Sequence, residues 1–188
     1  MSEAVWKVLA AKGFGGLRLR AVAAEMGAST GLLTHYFPNK RALLVYALDL
    51  LEQRNRERPR SAEPPDGSTP AAEGLAMLRQ VVLDVLPLDE ESIAGNRIWV
   101  GSWDVALADP EFGAEHDRRY ARSRDKLRTH IETAQRLGEL PASADAADLA
   151  AGLQSFFLGL VVQALLAPAH FPPQRQIALL DGYLAALR

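Results

Sequence analysis

Cysteine is absent from all 188 residues, which rules out disulfide staples, thiolate nucleophiles and sulfur-ligated metal centres. A reducing cytoplasm suits such a chain, and the cytoplasm is its expected location. The four histidines, His35, His116, His130 and His170, have no tight metal-ligand spacing. There is no G-x-S-x-G elbow, no phosphate loop and no H-E-x-x-H pair, so no enzyme activity, metal or other cofactor is expected. The start, MSEAVWKVLA, lacks the charged n-region and cleavage site of a signal peptide. No stretch alternates with the period of a strand, and there is no internal repeat, so no sheet is expected. An excess of one charge is missing overall, at a net −2, but the balance is uneven. Residues 1–58 carry nine Lys/Arg against five Asp/Glu, and residues 59–188 carry twelve against eighteen. A basic head on an acidic body fits a partner that is negative at one end only.

What the sequence does have is helical periodicity. Residues 2–12 place Val5, Val8 and Leu9 on one face and stop at Gly13. Residues 17–37, LRLRAVAAEMGASTGLLTHYF, read as two short helices around a sharp break at Met26-Gly27-Ala28-Ser29. Gly27 can take the left-handed backbone that closes a helix, and Ser29 can cap the next one. Leu19, Val22, Ala23 and Met26 form an apolar face before the break; Leu32, Leu33, Tyr36 and Phe37 do so after it. This is the layout of a helix-turn-helix, whose second helix enters the major groove of DNA. A fourth helix begins at the N-cap Asn39 and runs to about Arg58, with Leu43, Leu44, Ala47, Leu48 and Leu51 as its stripe.

Residues 59–70, PRSAEPPDGSTP, hold four prolines and a glycine and predict a loop between head and body. The body then reads as five more helices, making an all-α chain of about nine. Leu75, Leu78, Val82, Val85 and Leu86 mark the fifth, stopped by Pro87. Ile93, Trp99, Val100, Trp103 and Leu107 mark the sixth, and Asp109-Pro110 opens the seventh, which runs to Gly138. Residues 146–167 are apolar enough to raise the question of a membrane span, which takes about 20 such residues. Gln154, Ser155 and Gln163 interrupt the run and a second helix follows at once, so a bundle centre is expected instead, with no membrane partner. In that last helix Ile177, Leu180, Leu184 and Leu187 step by three, four and three. The final two helices, through Phe157, Leu160, Val161, Leu165 and that seam, are the expected homodimer interface.

The head is similar to the N-terminal domain of TetR-type transcriptional regulators. The resemblance is carried by Gly13-Phe14, Leu19-Arg20-Ala21-Val22-Ala23, Gly27-Ala28-Ser29-Thr30-Gly31 and His35-Tyr36-Phe37-Pro38-Asn39-Lys40. The body resembles BetI-type regulators in its WVGSWDVALADPEF stretch, its YARSRDKL helix and its final helix pair. The resemblance implies a DNA-binding domain at 1–45 and an effector-binding and dimerisation domain at 46–188, with the fourth helix belonging to both parts. It implies a homodimer on a pseudo-palindromic operator in double-stranded DNA, with repression as the default sign and activation as the alternative. Ligand in the body would favour head positions unsuited to DNA. A helical small-molecule-binding or scaffolding protein that does not bind DNA is the competing reading.

For DNA, the candidates are Arg18, Arg20, Ser29, Thr30, Leu32, Thr34, His35, Tyr36 and Lys40. Lys40 stands at the position that holds a phosphate in the family. Leu32 or Leu33 could meet a thymine methyl, although Leu33 equally suits the core beneath. Tyr36 is either core or a phosphate-binding hydroxyl. Three departures qualify the match: Leu17 and Arg18 replace the usual Thr or Ser, Thr34 replaces a common aromatic, and nothing basic precedes Lys7, so a basic arm is absent or lies outside the numbered chain. For an unknown small-molecule effector, the candidates are Met77, Trp99, Trp103, His116, Tyr120 and Phe156. An aromatic pair can cradle a quaternary ammonium by cation–π attraction, which suits the choline and betaine chemistry tied to BetI-type regulators. Trp99, Trp103 and His116 as plain core residues are the alternative. The arginine-rich run Arg118 to Arg124 reads as a solvated helix face.

Overall fold

The computed structural model describes residues 1–57 and 73–188, and every regular element among them is helical. The proline-rich stretch at 59–70 lies outside the described residues. Among the described residues ten α-helices follow one another: α1 (Ser2–Lys12), α2 (Leu19–Met26), α3 (Thr30–Tyr36), α4 (Lys40–Glu57), α5 (Gly74–Leu83), α6 (Glu90–Gly101), α7 (Trp103–Ala108), α8 (Pro110–Arg136), α9 (Ala146–Leu166) and α10 (Pro173–Ala185). A 3-10 turn, Phe14–Gly16, links the first two.

The starts and stops follow the local chemistry. Asn39 Oδ1 accepts from the Ala42 N–H at 2.9 Å and opens α4. Asp109 Oδ1 accepts from the N–H groups of Glu111 and Phe112 and opens α8. Asp145 does the same for α9 through Ala147 and Asp148. The expected sixth helix is in fact two, α6 and α7. The Ser102 N–H donates to the Trp99 carbonyl, and so does its hydroxyl, at 2.6 Å; these short bonds tighten the chain and break the α-helical ladder.

By contact the chain divides into two compact units. The first joins α1 to α4 with residues 97–117, which comprise the end of α6, all of α7 and the start of α8. Its core holds Val5, Val8, Leu9, Phe14, Leu17, Val22, Leu33, Phe37, Leu43, Leu44, Leu48 and Leu51, together with Ile98 and Phe112. The Phe14 and Phe112 rings lie 5.9 Å apart. Arg54 of α4 sits 4.3 Å over the Trp6 ring and bonds Glu3 at 2.9 Å, which fastens α4 to α1 at the surface.

The second unit contains α5, the start of α6, the rest of α8, α9 and α10. Leu75, Leu78, Val82, Leu127, Ile131, Leu153, Phe157, Leu160, Leu180 and Leu184 are buried there. Helix α9 is long and apolar enough to cross a membrane by length and composition, yet Phe157, Leu160, Val161 and Ala164 are buried against protein. Its buried Gln154 donates to the Tyr120 carbonyl and accepts from Arg124 at 3.1 Å, which ties α9 to α8. The solvated-face reading of residues 118–124 therefore holds for the exposed Arg118 and Arg122 and fails for two others: Arg119 is buried, and Arg124 is half-buried on Gln154.

Candidate nucleic-acid interface

The turn between α2 and α3 determines where α3 points. Gly27 has φ +62° and ψ +27°, the left-handed conformation. The Ala28 N–H donates back to the Ala23 carbonyl and the Gly27 N–H to Ala24, the paired bonds of a Schellman ending. Two residues later the Ser29 hydroxyl accepts from the Leu32 N–H at 3.3 Å and starts α3.

From that turn α3 presents two different sides. Leu33 and Phe37 are buried in the head. Leu32 and Tyr36, one turn apart, are 46% and 60% exposed, so the single apolar face expected from Leu32 to Phe37 is divided between inside and outside. Met26 likewise lies outward at the end of α2. Ser29, Thr30, Thr34 and His35 are exposed on the same short helix and its cap, and Arg18, Arg20 and Lys40 are exposed on the neighbouring elements. Leu17, where a hydroxyl residue is usual, is wholly buried and belongs to the core.

Hydrogen bonds already made decide what is left for a ligand. Thr34 donates its hydroxyl hydrogen to the Gly31 carbonyl at 2.7 Å, so toward an outside partner it acts as an acceptor. Ser29 uses a lone pair on Leu32 and keeps its O–H to donate, which suits a phosphate oxygen. The first turn of α4 carries Lys40 and Arg41 and no acidic residue. Cations there oppose the helix dipole, and an approaching anion relieves the repulsion.

The candidate effector residues fall in both units. In the first, the Trp99 and His116 rings lie 4.9 Å apart, with Phe112 5.3 Å from His116. His116 is buried, with Nε2 3.1 Å from Ser102 Oγ. Ser102 has given its only hydrogen to Trp99, so Nε2 carries the proton and donates. Trp103 is half-buried in α7. In the second unit Met77 and Tyr120 are half-buried, and Phe156 stacks on Tyr183 at 4.3 Å and 19°. Of the expected dimer residues, Phe157, Leu160, Val161, Leu180 and Leu184 are buried within their own subunit, while Leu165, Ile177 and Leu187 are half-exposed. The exposed residues of α9 and α10 include the small Gly152, Ser155, Gly159, Ala178 and Gly182, alongside larger ones such as Gln163, Leu166 and Leu179.

Sequence reasoning missed three residues whose contacts the structure shows beside the candidate sites. Ser102 had a signal, a serine after glycine inside an apolar run. Arg41 had one too, as a second cation beside Lys40. Glu111 had none, because its partner is 70 positions away in sequence.

Comparison with known proteins places these observations. Residues 3–47 match the family model for bacterial regulatory proteins of the tetR family, and residues 74–188 match the one for the C-terminal part of BetI-type transcriptional repressors. The HTH-type transcriptional regulator PksA of Bacillus subtilis (strain 168) is 28% identical over 176 residues, covering 93% of this chain and 82% of that protein. A transcriptional regulator from Rhodococcus sp. Rha1 superposes with a TM-score of 0.74 at 25% identity, over 99% of this chain and 92% of that one. A Saccharomonospora viridis protein solved in complex with choline shares the fold at a TM-score of 0.79 and 22% identity, over 98% and 93% of the two chains.

Proposed function

The chain belongs to the TetR family of bacterial transcriptional regulators, with a body of the BetI repressor type, and on that premise we propose that it is a homodimeric repressor that reads a pseudo-palindromic operator and leaves it when a small molecule binds the body. The observation that carries the reading is the outward side of α3. Thr34 accepts, Ser29 donates and Leu32 offers an apolar contact, all on a seven-residue helix and its N-cap, held in place by the Gly27 turn. Bases would be read by Thr30, Leu32, Thr34 and His35, and phosphates gripped by Arg18, Arg20, Ser29, Tyr36 and Lys40. Two-fold symmetry spaces the half-sites about 34–36 Å apart, one turn of DNA, or a small multiple of that.

The functional division is DNA binding at 1–45 and effector binding with dimerisation at 46–188. The effector candidates are Trp99, Trp103 and His116 within the first unit and, separately, Met77, Tyr120 and Phe156 within the second. A quaternary ammonium is the first effector to test, since aromatic faces attract it and a fold relative was solved with choline. The dimer forms through α9 and α10, where the small open residues let a second copy approach and the buried leucines hold the two helices in place. A regulator of this family works on DNA in the cytoplasm.

The deciding experiment is a shift assay with duplex from the chain's own upstream region. Specific, salt-sensitive binding that weakens in Lys40→Ala is the expected result; the salt slope should fall by about 0.9 for each phosphate no longer gripped. Equal binding by wild type and Lys40→Ala on every duplex would refute the assignment.

A further inference from the structure

We infer that Arg41 is an additional phosphate-binding residue, and that Glu111 of α8 withholds it from DNA. The inference rests on the reading of the head as a DNA-binding domain. Arg41 stands in the first turn of α4, next to Lys40, and its guanidinium is paired with the Glu111 carboxylate. Both groups are open to solvent, with 39% of the Arg41 side chain and 70% of the Glu111 side chain exposed. Water and salt therefore reach the pair, and a phosphate can compete for the arginine.

Glu111 is held firmly in position. The next residue, Phe112, is wholly buried with its ring 5.9 Å from Phe14 of the head. Asp109 Oδ1 accepts from the N–H groups of both Glu111 and Phe112, which fixes the start of α8. Gly113, one residue further, admits no side chain, since a Cβ there would come 2.8 Å from the Ala106 carbonyl oxygen. The carboxylate is thus carried on a turn anchored on both sides and set against a cation at the start of α4.

At that place an acidic group acts as a stand-in for phosphate. It neutralises Arg41 in the absence of DNA, and on DNA it must yield the guanidinium or repel the backbone. Arginine pairs through two parallel N–H bonds with phosphate as it does with carboxylate, so at this exposed site a phosphate of DNA can take the place of Glu111. Glu111 thereby weakens binding.

The test compares wild type, Glu111→Gln, Arg41→Ala, the double variant and Lys40→Ala. Each is titrated by fluorescence anisotropy into labelled duplex from the upstream region across about 50–200 mM salt. Glu111→Gln should bind more tightly than wild type, with a salt slope steeper by about 0.9 per protomer. For a dimer its advantage then shrinks roughly tenfold across that salt range. The double variant should match Arg41→Ala. Unchanged melting temperatures and circular dichroism across the set would show that all variants fold. The inference is overturned if Glu111→Gln keeps the wild-type slope, or if its gain survives in the double variant, since the carboxylate would then act by general repulsion. If wild type forms no salt-dependent complex and Lys40→Ala behaves like it, the DNA-binding reading itself fails and this inference with it.

Discussion

Truncating Phe112 to alanine tests whether the start of α8 belongs to the core of the head or merely rests upon it. The residue has no exposed surface, lies 5.9 Å ring to ring from Phe14 and 5.3 Å from His116, and sits in a core built mostly from residues 4–51, with Ile98. A buried phenylalanine removes about 150–250 Å² from water. At about 25 cal/mol per Å² that is about 4–6 kcal/mol, an upper figure because unfolded chains already shield part of their surface. Core truncations of this kind cost about 3–5 kcal/mol, out of a total stability of about 5–15 kcal/mol. The assay is urea denaturation followed by tryptophan fluorescence, at one protomer concentration because a dimer's stability depends on it. With a slope toward the top of the usual range of about 1–3 kcal/mol/M, the midpoint should fall by roughly 1–2 M. Leu107→Ala serves as the control: that residue is 89% exposed on the same segment and should change stability by no more than about 0.5 kcal/mol. A loss below about 1 kcal/mol for Phe112→Ala would refute the shared core, because no buried aromatic is removed so cheaply.

Gly27→Ala should cost about 1–2 kcal/mol in thermal denaturation, because φ +62° strains an L-residue although nothing lies within 4 Å of the added Cβ; an unchanged melting temperature would contradict the turn. Ser29→Ala removes the α3 cap and should cost about 1 kcal/mol by the same measurement. Burial pushes the His130 imidazole below its ordinary value. The unfolded chain then takes up the proton first, so stability should fall as pH drops below about 6.5, and His130→Gln should flatten that dependence. Arg79 binds Asp181 through both carboxylate oxygens and holds that carboxyl below its usual range. The pair stabilises above the ordinary carboxylate value and is lost as pH falls through the lowered one. A double-mutant cycle at neutral pH should return no more than about 1 kcal/mol, since both side chains are largely exposed.

The helices were legible in the sequence wherever a local rule determined them. Gly13, Gly27 and Gly138 carry positive φ at helix ends, and Asn39 and Asp109 cap with their side chains, as their identities and positions implied. The outward side of α3 was less legible. Leu32 and Leu33 are equally apolar, and only the angle at which α3 leaves the Gly27 turn decides that one is buried and the other open. The seam on α10 was misleading for a similar reason: Leu180 and Leu184 face their own subunit, and periodicity cannot say whose core a stripe fills. The Arg41–Glu111 pair and the Phe14–Phe112 contact join residues far apart in sequence, and no periodicity or cap signals such pairs.

The shared core also limits how an effector could act on the head. Coupling between two sites is worth typically about 1–3 kcal/mol. Pulling Phe112 and Ile98 out of the head core would exceed that, with Phe112 alone worth about 3–5 kcal/mol. An effector therefore cannot peel residues 97–117 away from α1 to α4, and it moves them together or not at all. The fourth helix is then not the only connection, because it lies wholly in the same unit as the head. What passes from one unit to the other among the described residues is α6, between Asn96 and Arg97, and α8, between Asp117 and Arg118. Among the described residues, a rearrangement small enough for a ligand to drive would be taken up along those two helices, by bending or by repacking.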